Sequence, residues 1–407
     1  MRSSLSSNTS CDLVVVGGGY TGLAAARRWH ELEPTHKISI VEGSRIGEGN
    51  PGRNSGFLLE VSLANDANTA EIDRMQKCNA LVSKTMSELS ALVRRHKIDC
   101  NLQRSGTYRA AAGEAGLQAI RSYVAFLKAA DLPYEILDQD ALYSKIGTDF
   151  YREGLYSPDC YLVQPAAFIR GLANALPESI SVYEETPALK VSRSGNAWLV
   201  TTPTGSVSAQ SVIIANNAFA KSLGFGPSRV TAIYTYAGLT VPLPSDLLAH
   251  LGTEPSWGLL PTHRLGSTLR RTVDNRLLIR SCYDYEVETD NRAMAIVLKE
   301  ALQRRFPFLK NTRLANVWSG ATGLTFNGAP NWGEIENGLY ISAGCNGGGV
   351  VKGTLFGAAL VDLAHDRETA DIENLFGTAS WMPPDPIRKL GFKLISSMER
   401  RRGIAEI

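Results

Sequence analysis

The chain has 407 residues, 44% hydrophobic and 20% charged, so it is globular and long enough for two structural units. Its 42 Lys and Arg against 40 Asp and Glu leave a net charge of +2, which excludes the broad basic field of a nucleic-acid-binding surface. The six cysteines are scattered with no C-x-x-C pair, which argues against a zinc site or a disulfide framework and predicts a reduced, cytoplasmic protein.

The first ten residues are polar, and the apolar run Leu13 to Val16 is too short for a signal segment and stops at glycines. No apolar run approaches ~20 residues, so no transmembrane segment is expected. Residues 11–16 read as a strand buried on both faces, residues 23–31 as a helix, and residues 37–42 as a second strand. Strand, helix and strand fit in about thirty residues, the length of one βαβ unit.

Between them lies Gly17-Gly-Gly19-Tyr-Thr21-Gly22, a G-x-G-x-x-G loop, and Glu42 follows twenty residues after Gly22. Gly17 permits the tight turn, Gly19 lets the backbone approach a pyrophosphate, and Gly22 lets the helix pack on the strand. The helix N-terminus offers free N–H groups to phosphates. Glu42 and the adjoining Gly43 sit where a ribose would, and an acid there favours an unphosphorylated ribose, hence FAD or NAD over NADP. Residues 47–56 form a second glycine-dense loop, too dense for an ordinary connection.

Residues 64–96 carry apolar positions at helical spacing, which predicts one long helix or two consecutive ones. A strand over 106–110, a helix over 113–130 and a helix beginning at Gln164-Pro165 follow. Residues 182–183, 188–193, 197–202 and 207–215 read as a strand meander. A second β-rich block spans 230–241, 268–272 and 276–283, with Asp274-Asn275 as its hairpin turn. It is rich in Tyr and Trp, which suits either a pocket wall or plain core. A helix over 292–306 precedes a strand that runs into Gly347-Gly348-Gly349-Val350 and a last long helix over 351–363. Amides at that helix start would face the electron-rich edge of a flavin. The basic, amphipathic residues 386–402 either pack on the protein or make peripheral contact with a membrane surface.

On Gly52-Arg-Asn-Ser-Gly56, residues 213–218, Gly344-Cys-Asn-Gly-Gly-Gly349 and residues 383–388, the chain resembles the D-amino acid oxidase-like (DAO) family of FAD-dependent oxidoreductases, and within it the γ-glutamylputrescine oxidase group. The resemblance implies FAD held by Gly17, Gly19, Thr21, Gly22, Glu42 and Gly43, with Arg53, Asn54, Ser55 and Gly56 beside the flavin. It further implies Ala188 at the adenine and Gly347, Gly348, Gly349 and Val350 at the ring. Residues 318–326 lack the cysteine that carries flavin covalently in several relatives, so the FAD is expected to be noncovalent. Where some relatives bind a substrate carboxylate through lysine this chain has Val351, and Lys352 lies ~100° further around the helix.

The expected fold class is α/β: a Rossmann-like FAD-binding domain interleaved with an α+β substrate domain built on a mainly antiparallel sheet. The expected division is 1–63, 145–225 and 315–385 for the FAD-binding domain, 64–144 and 226–314 for the substrate domain, and 386–407 for a basic tail. The implied activity is oxidation of a C–N bond in a small-molecule primary or secondary amine, with oxygen or another electron acceptor. Tyr283, Trp257 and Trp332, with Tyr234 behind them, are the expected pocket residues. A D-amino acid or glycine-type enzyme is the alternative, with Arg53, Arg271 or Arg280 as carboxylate clamp. A flavin-binding subunit without amine chemistry of its own is the third reading.

Overall fold

The computed structural model describes residues 2–61, 68–403 and 406. The first sheet has Thr9–Val16 near its centre, flanked in parallel by Ser206–Ile214 and Ile38–Val41. Ile180–Tyr183 extends it in parallel beyond Ile38–Val41, and Leu339–Ala343 does so beyond Ser206–Ile214. Asn331–Glu336 closes that edge antiparallel. Ile180–Tyr183 is therefore an edge of the parallel sheet, while the expected meander shrinks to Lys190–Ser194, Ala197–Thr201 and the start of Ser206–Ile214.

Burial explains the unbroken apolar run of the central strand. Leu13 and Val15 belong to the core under the helices Tyr20–Leu32, Ile72–Arg95, Pro165–Asn174 and Val351–Ala364, and Val14 and Val16 to the core on the opposite face. Each such side chain contributes roughly 1.5–3 kcal/mol by leaving water, so neither face tolerates a polar residue.

The second sheet runs Leu314–Leu324, Thr231–Thr240, Leu277–Tyr285, Thr268–Arg271, Trp257–Pro261, Thr107–Ala111, Glu153–Ser157, Glu135–Asp138. All its neighbours are antiparallel except Trp257–Pro261 with Thr107–Ala111. Glu153–Ser157 and Leu314–Leu324, placed by the expected boundaries at 145 and 315 with the cofactor segments, run in this sheet. The glycines of Leu314–Leu324 disguise a strand that pairs along the whole of Thr231–Thr240. The helix Ile72–Arg95, expected in the substrate domain, buries Val82, Met86, Leu89 and Val93 in the core of the first sheet. The expected boundary at 63/64 lies outside the described residues.

The C-terminal helix Ile387–Arg402 buries none of its residues. Phe392 packs on Tyr285 with ring centroids 5.4 Å apart, and Glu399 lies 3.0 Å from His263 Nε2. No helix among the described residues is long and apolar enough to cross a membrane.

Candidate active site

One cleft of about 1390 Å³ runs between the two sheets. That exceeds the ~300–1,000 Å³ of a typical small-ligand pocket and suits an extended dinucleotide with a substrate beside it. At one end, Gly17 turns with φ +109°, and a β-carbon there would press on the backbone of Ala215 at 3.0 Å. Gly22 is packed on the Gly17 carbonyl and would overlap it with any side chain. Helix Tyr20–Leu32 begins at Gly19 with no side-chain cap, which leaves its first amides for a ligand. The Glu42 carboxylate accepts from the Gly18 amide at 2.8 Å and from the Ser44 amide at 3.0 Å, so its position is fixed.

The second glycine-dense loop is stitched from both sheets. Pro51 carbonyl accepts from the Tyr20 hydroxyl at 3.0 Å and from Asn54 Nδ2 at 2.7 Å. Arg270, on the second sheet, donates through Nη1 to the carbonyls of Ser55 at 3.0 Å and Val163 at 2.6 Å. Burial pulls its guanidinium down to about 10. Gly56, at φ +80°, leaves the space that Arg270 fills.

The third stretch is set by Asn217, whose Oδ1 accepts from the amides of Gly344 at 3.0 Å and Cys345 at 3.2 Å. Asn346 Oδ1 accepts from the Thr325 amide at 2.9 Å. Gly347, at φ +84°, has nothing within 4 Å of where a β-carbon would stand, so its backbone is bare to the cleft. The last long helix is drawn in beside the first, since a β-carbon at Gly357 would overlap the Thr21 carbonyl.

The far wall is the second sheet. Adjacent strands pair Arg109 with Leu260, Thr268 with Arg280, Arg280 with Ala237 and Ala237 with Trp318. Leu259 pairs with Leu269, so Leu260 and Thr268 are the next neighbours. All six residues line the cleft in one row across six strands. At one end the Trp318 indole donates to the Arg53 carbonyl at 2.9 Å, on the second glycine-dense loop.

The structure brings Gly17, Gly19, Thr21, Glu42, Gly43, Arg53, Asn54, Ser55, Ala188 and Gly347 through Val350 to the cleft, with Tyr283, Arg280 and Lys352. Gly22 and Gly56 stand behind it as packing positions. Trp257 and Trp332 are not among its lining. Trp257 is buried in the core of the second sheet against Phe306, and Trp332 donates to the Phe356 carbonyl at 3.0 Å beneath the last long helix. The reason is strand alternation: Leu260 faces the cleft, so Trp257 and Leu259 face the core. Tyr234 and Tyr236 likewise face the core, while Thr235 and Ala237 face the cleft. Arg271 is turned aside, donating to the Glu254 carbonyl at 2.9 Å. Arg109, Asn217 and Arg270 escaped the sequence reading. An arginine inside the strand pattern of residues 106–110 was the one available signal for Arg109.

A dinucleotide-binding parallel sheet with a core on each face, glycine-rich turns at both ends of one cleft and an antiparallel sheet over it define a flavin-dependent oxidoreductase architecture. The family of FAD dependent oxidoreductases, DAO, matches residues 12–363, and the chain belongs to it. The chain is 27% identical over 383 residues to the Gamma-glutamylputrescine oxidoreductase of Escherichia coli, covering 90% of this chain and 87% of that one. It is 23% identical over 368 residues to the Glycine oxidase of Geobacillus kaustophilus, covering 88% and 94%. The crystal structure of glycine oxidase from Geobacillus kaustophilus superposes with a TM-score of 0.76 at 21% identity, over 92% of this chain and 100% of that one. The FAD-bound L-alpha-glycerophosphate oxidase from Mycoplasma pneumoniae gives 0.71 at 16% identity, over 92% and 100%. The cofactor of this family is FAD, and the residues present fit it: a bare helix start for phosphates, an oriented carboxylate for ribose, and exposed backbone at Gly347 for the ring.

Proposed function

We propose that the chain oxidises a C–N bond of a primary or secondary amine, giving an imine that water opens to an aldehyde or ketone. Bound in the cleft, FAD supplies the two-electron acceptor, which oxygen or another acceptor then restores. The observation that carries the reading is the charge of the substrate wall. Arg109, Arg264 and Arg280 line it, while Glu42 and Glu48 lie on the first-sheet side of the cleft and Glu71 is paired with Arg74. Positive charge on the wall disfavours an ammonium, so an amine bound there is held neutral, with the lone pair that hydride loss requires. Tyr283 and Arg280 fix its orientation beneath the second sheet. Two relatives with amine-bearing compounds in their names support the same chemistry.

Anaerobic addition of a panel of amines, with glycine and D-alanine included, to the FAD-loaded protein tests the reading. A non-amino-acid amine is expected to bleach the visible flavin band. Bleaching by glycine or D-alanine alone would select the amino acid reading, and a band indifferent to every compound would leave a flavin-binding subunit.

A further inference from the structure

We propose that helix Ile387–Arg402 docks the protein on an anionic lipid surface. The helix buries none of its residues. Ile387, Leu390 and Leu394 are 61%, 69% and 62% exposed, and Met398 is exposed with them. At ~100° per residue these four fall within about 80° of arc, and Phe392 and Glu399 lie about 100° beyond its edge. Those two hold the helix to the body, Phe392 against Tyr285 and Glu399 against His263. The apolar stripe is therefore not the face by which the helix is attached, and a solvated stripe of this kind marks an interaction surface. Trp381, on the segment that leads into the helix, is 65% exposed. It adds an aromatic side chain of the kind that settles at a membrane–water boundary.

Charge identifies the occupant. The helix carries Arg388, Lys389, Lys393, Arg400, Arg401 and Arg402 against a single acid, Glu399. Arg388 donates to the carbonyls of Pro383 at 2.8 Å and Pro227 at 2.9 Å, and Arg402 lies 3.6 Å from Glu399. Lys389, Lys393, Arg400 and Arg401 pair with no acid among the described residues. The first three fall within about 40° of arc along one flank of the apolar stripe. Their long stems can hold the charges at headgroup level while the leucines enter the acyl boundary. A second copy laid on this face would set unpaired cations against unpaired cations, whereas anionic headgroups neutralise them.

The helix lies on such a surface rather than across it, since no helix among the described residues is long and apolar enough to span a membrane. Its seat is next to the cleft. His263 lines the cleft, and Tyr285 belongs to the strand that carries Arg280 and Tyr283. Docking therefore brings the lipid surface up beside the second sheet, on whose far side the substrate would bind.

The FAD-loaded protein is sedimented with vesicles of mixed phosphatidylglycerol and phosphatidylcholine, and separately with phosphatidylcholine alone. The wild type is expected to pellet with the mixed vesicles and to stay in solution with the others. Leu390→Glu with Leu394→Glu removes the stripe and is expected to leave the protein in solution with its flavin retained, because both side chains stand in solvent. Lys389→Gln with Lys393→Gln keeps the stripe and is expected to weaken binding roughly tenfold or more. Flavin absorbance reports the fold of each variant. Failure of the wild type to bind the mixed vesicles, equal binding to both kinds of vesicle, or unchanged binding in either variant overturns the proposal. A solution dimer that the leucine substitutions dissociate also overturns it, in favour of a second copy on this face.

Discussion

Arg280 Nη1 donates to the Tyr283 hydroxyl at 3.1 Å, although residues three apart on a regular strand point to opposite faces. Both line the cleft because the strand is bulged between them: Thr235 pairs with Tyr283 and Tyr236 with Ser281, leaving Cys282 as an extra residue at φ +59°. Such a bulge re-aims the side chains beyond it.

Removing the hydroxyl in Tyr283→Phe leaves the fold intact and Arg280 without this partner. We expect kcat/KM for the true substrate to fall on the order of tenfold, measured by steady-state kinetics. Identical kinetics would remove Tyr283 from the site.

Cys282 itself is conformationally demanding. Cys282→Val places a β-branched residue at positive φ and should cost about 1–2 kcal/mol, while Cys282→Gly should be neutral or stabilising. Urea denaturation of the two variants distinguishes them, and activity should fall with Val as the bulge shifts.

Arg270 joins the sheets through the Ser55 and Val163 carbonyls. Arg270→Met strands both acceptors and should lower stability by about 2–4 kcal/mol, with FAD affinity reduced in parallel because Ser55 is released. Fluorescence titration of apoprotein with FAD reads the second effect.

Burial raises the thiols of Cys11 and Cys100 to about 11 and that of Cys160 to about 12. Because these folded values lie above the ordinary thiol value of 9.0, the folded chain holds protons that the unfolded chain gives up. Their stabilisation is complete below pH 9 and is lost as pH rises through 11 to 12. Thermal midpoints should therefore decline over that window, and Cys100→Ala should flatten part of the decline. A midpoint that rises there contradicts the assignment.

The nucleotide end of the cleft was legible because its requirements are local. Gly17, Gly22 and Glu42 belong to one strand-turn-helix-strand unit, and each is dictated by neighbours close in sequence. The substrate end was not legible, because strand alternation and one bulge decide which aromatic residue faces the cleft. Trp257 and Tyr283 carry the same sequence signal, yet one is core and the other lines the site. Asn217 reaches residues more than a hundred positions away to shape the loop at Gly344. Arg109 acquires its significance only from the five strands beside it.

The central claim is that glycine-rich turns from both ends of the chain converge on one FAD. Spectroscopy of the purified protein, followed by acid denaturation and separation of the supernatant, tests it most directly. The expected result is a yellow protein with one FAD per chain, all released into the supernatant, and uptake of FAD when the apoprotein is reloaded. A colourless protein that takes up no added FAD would contradict it.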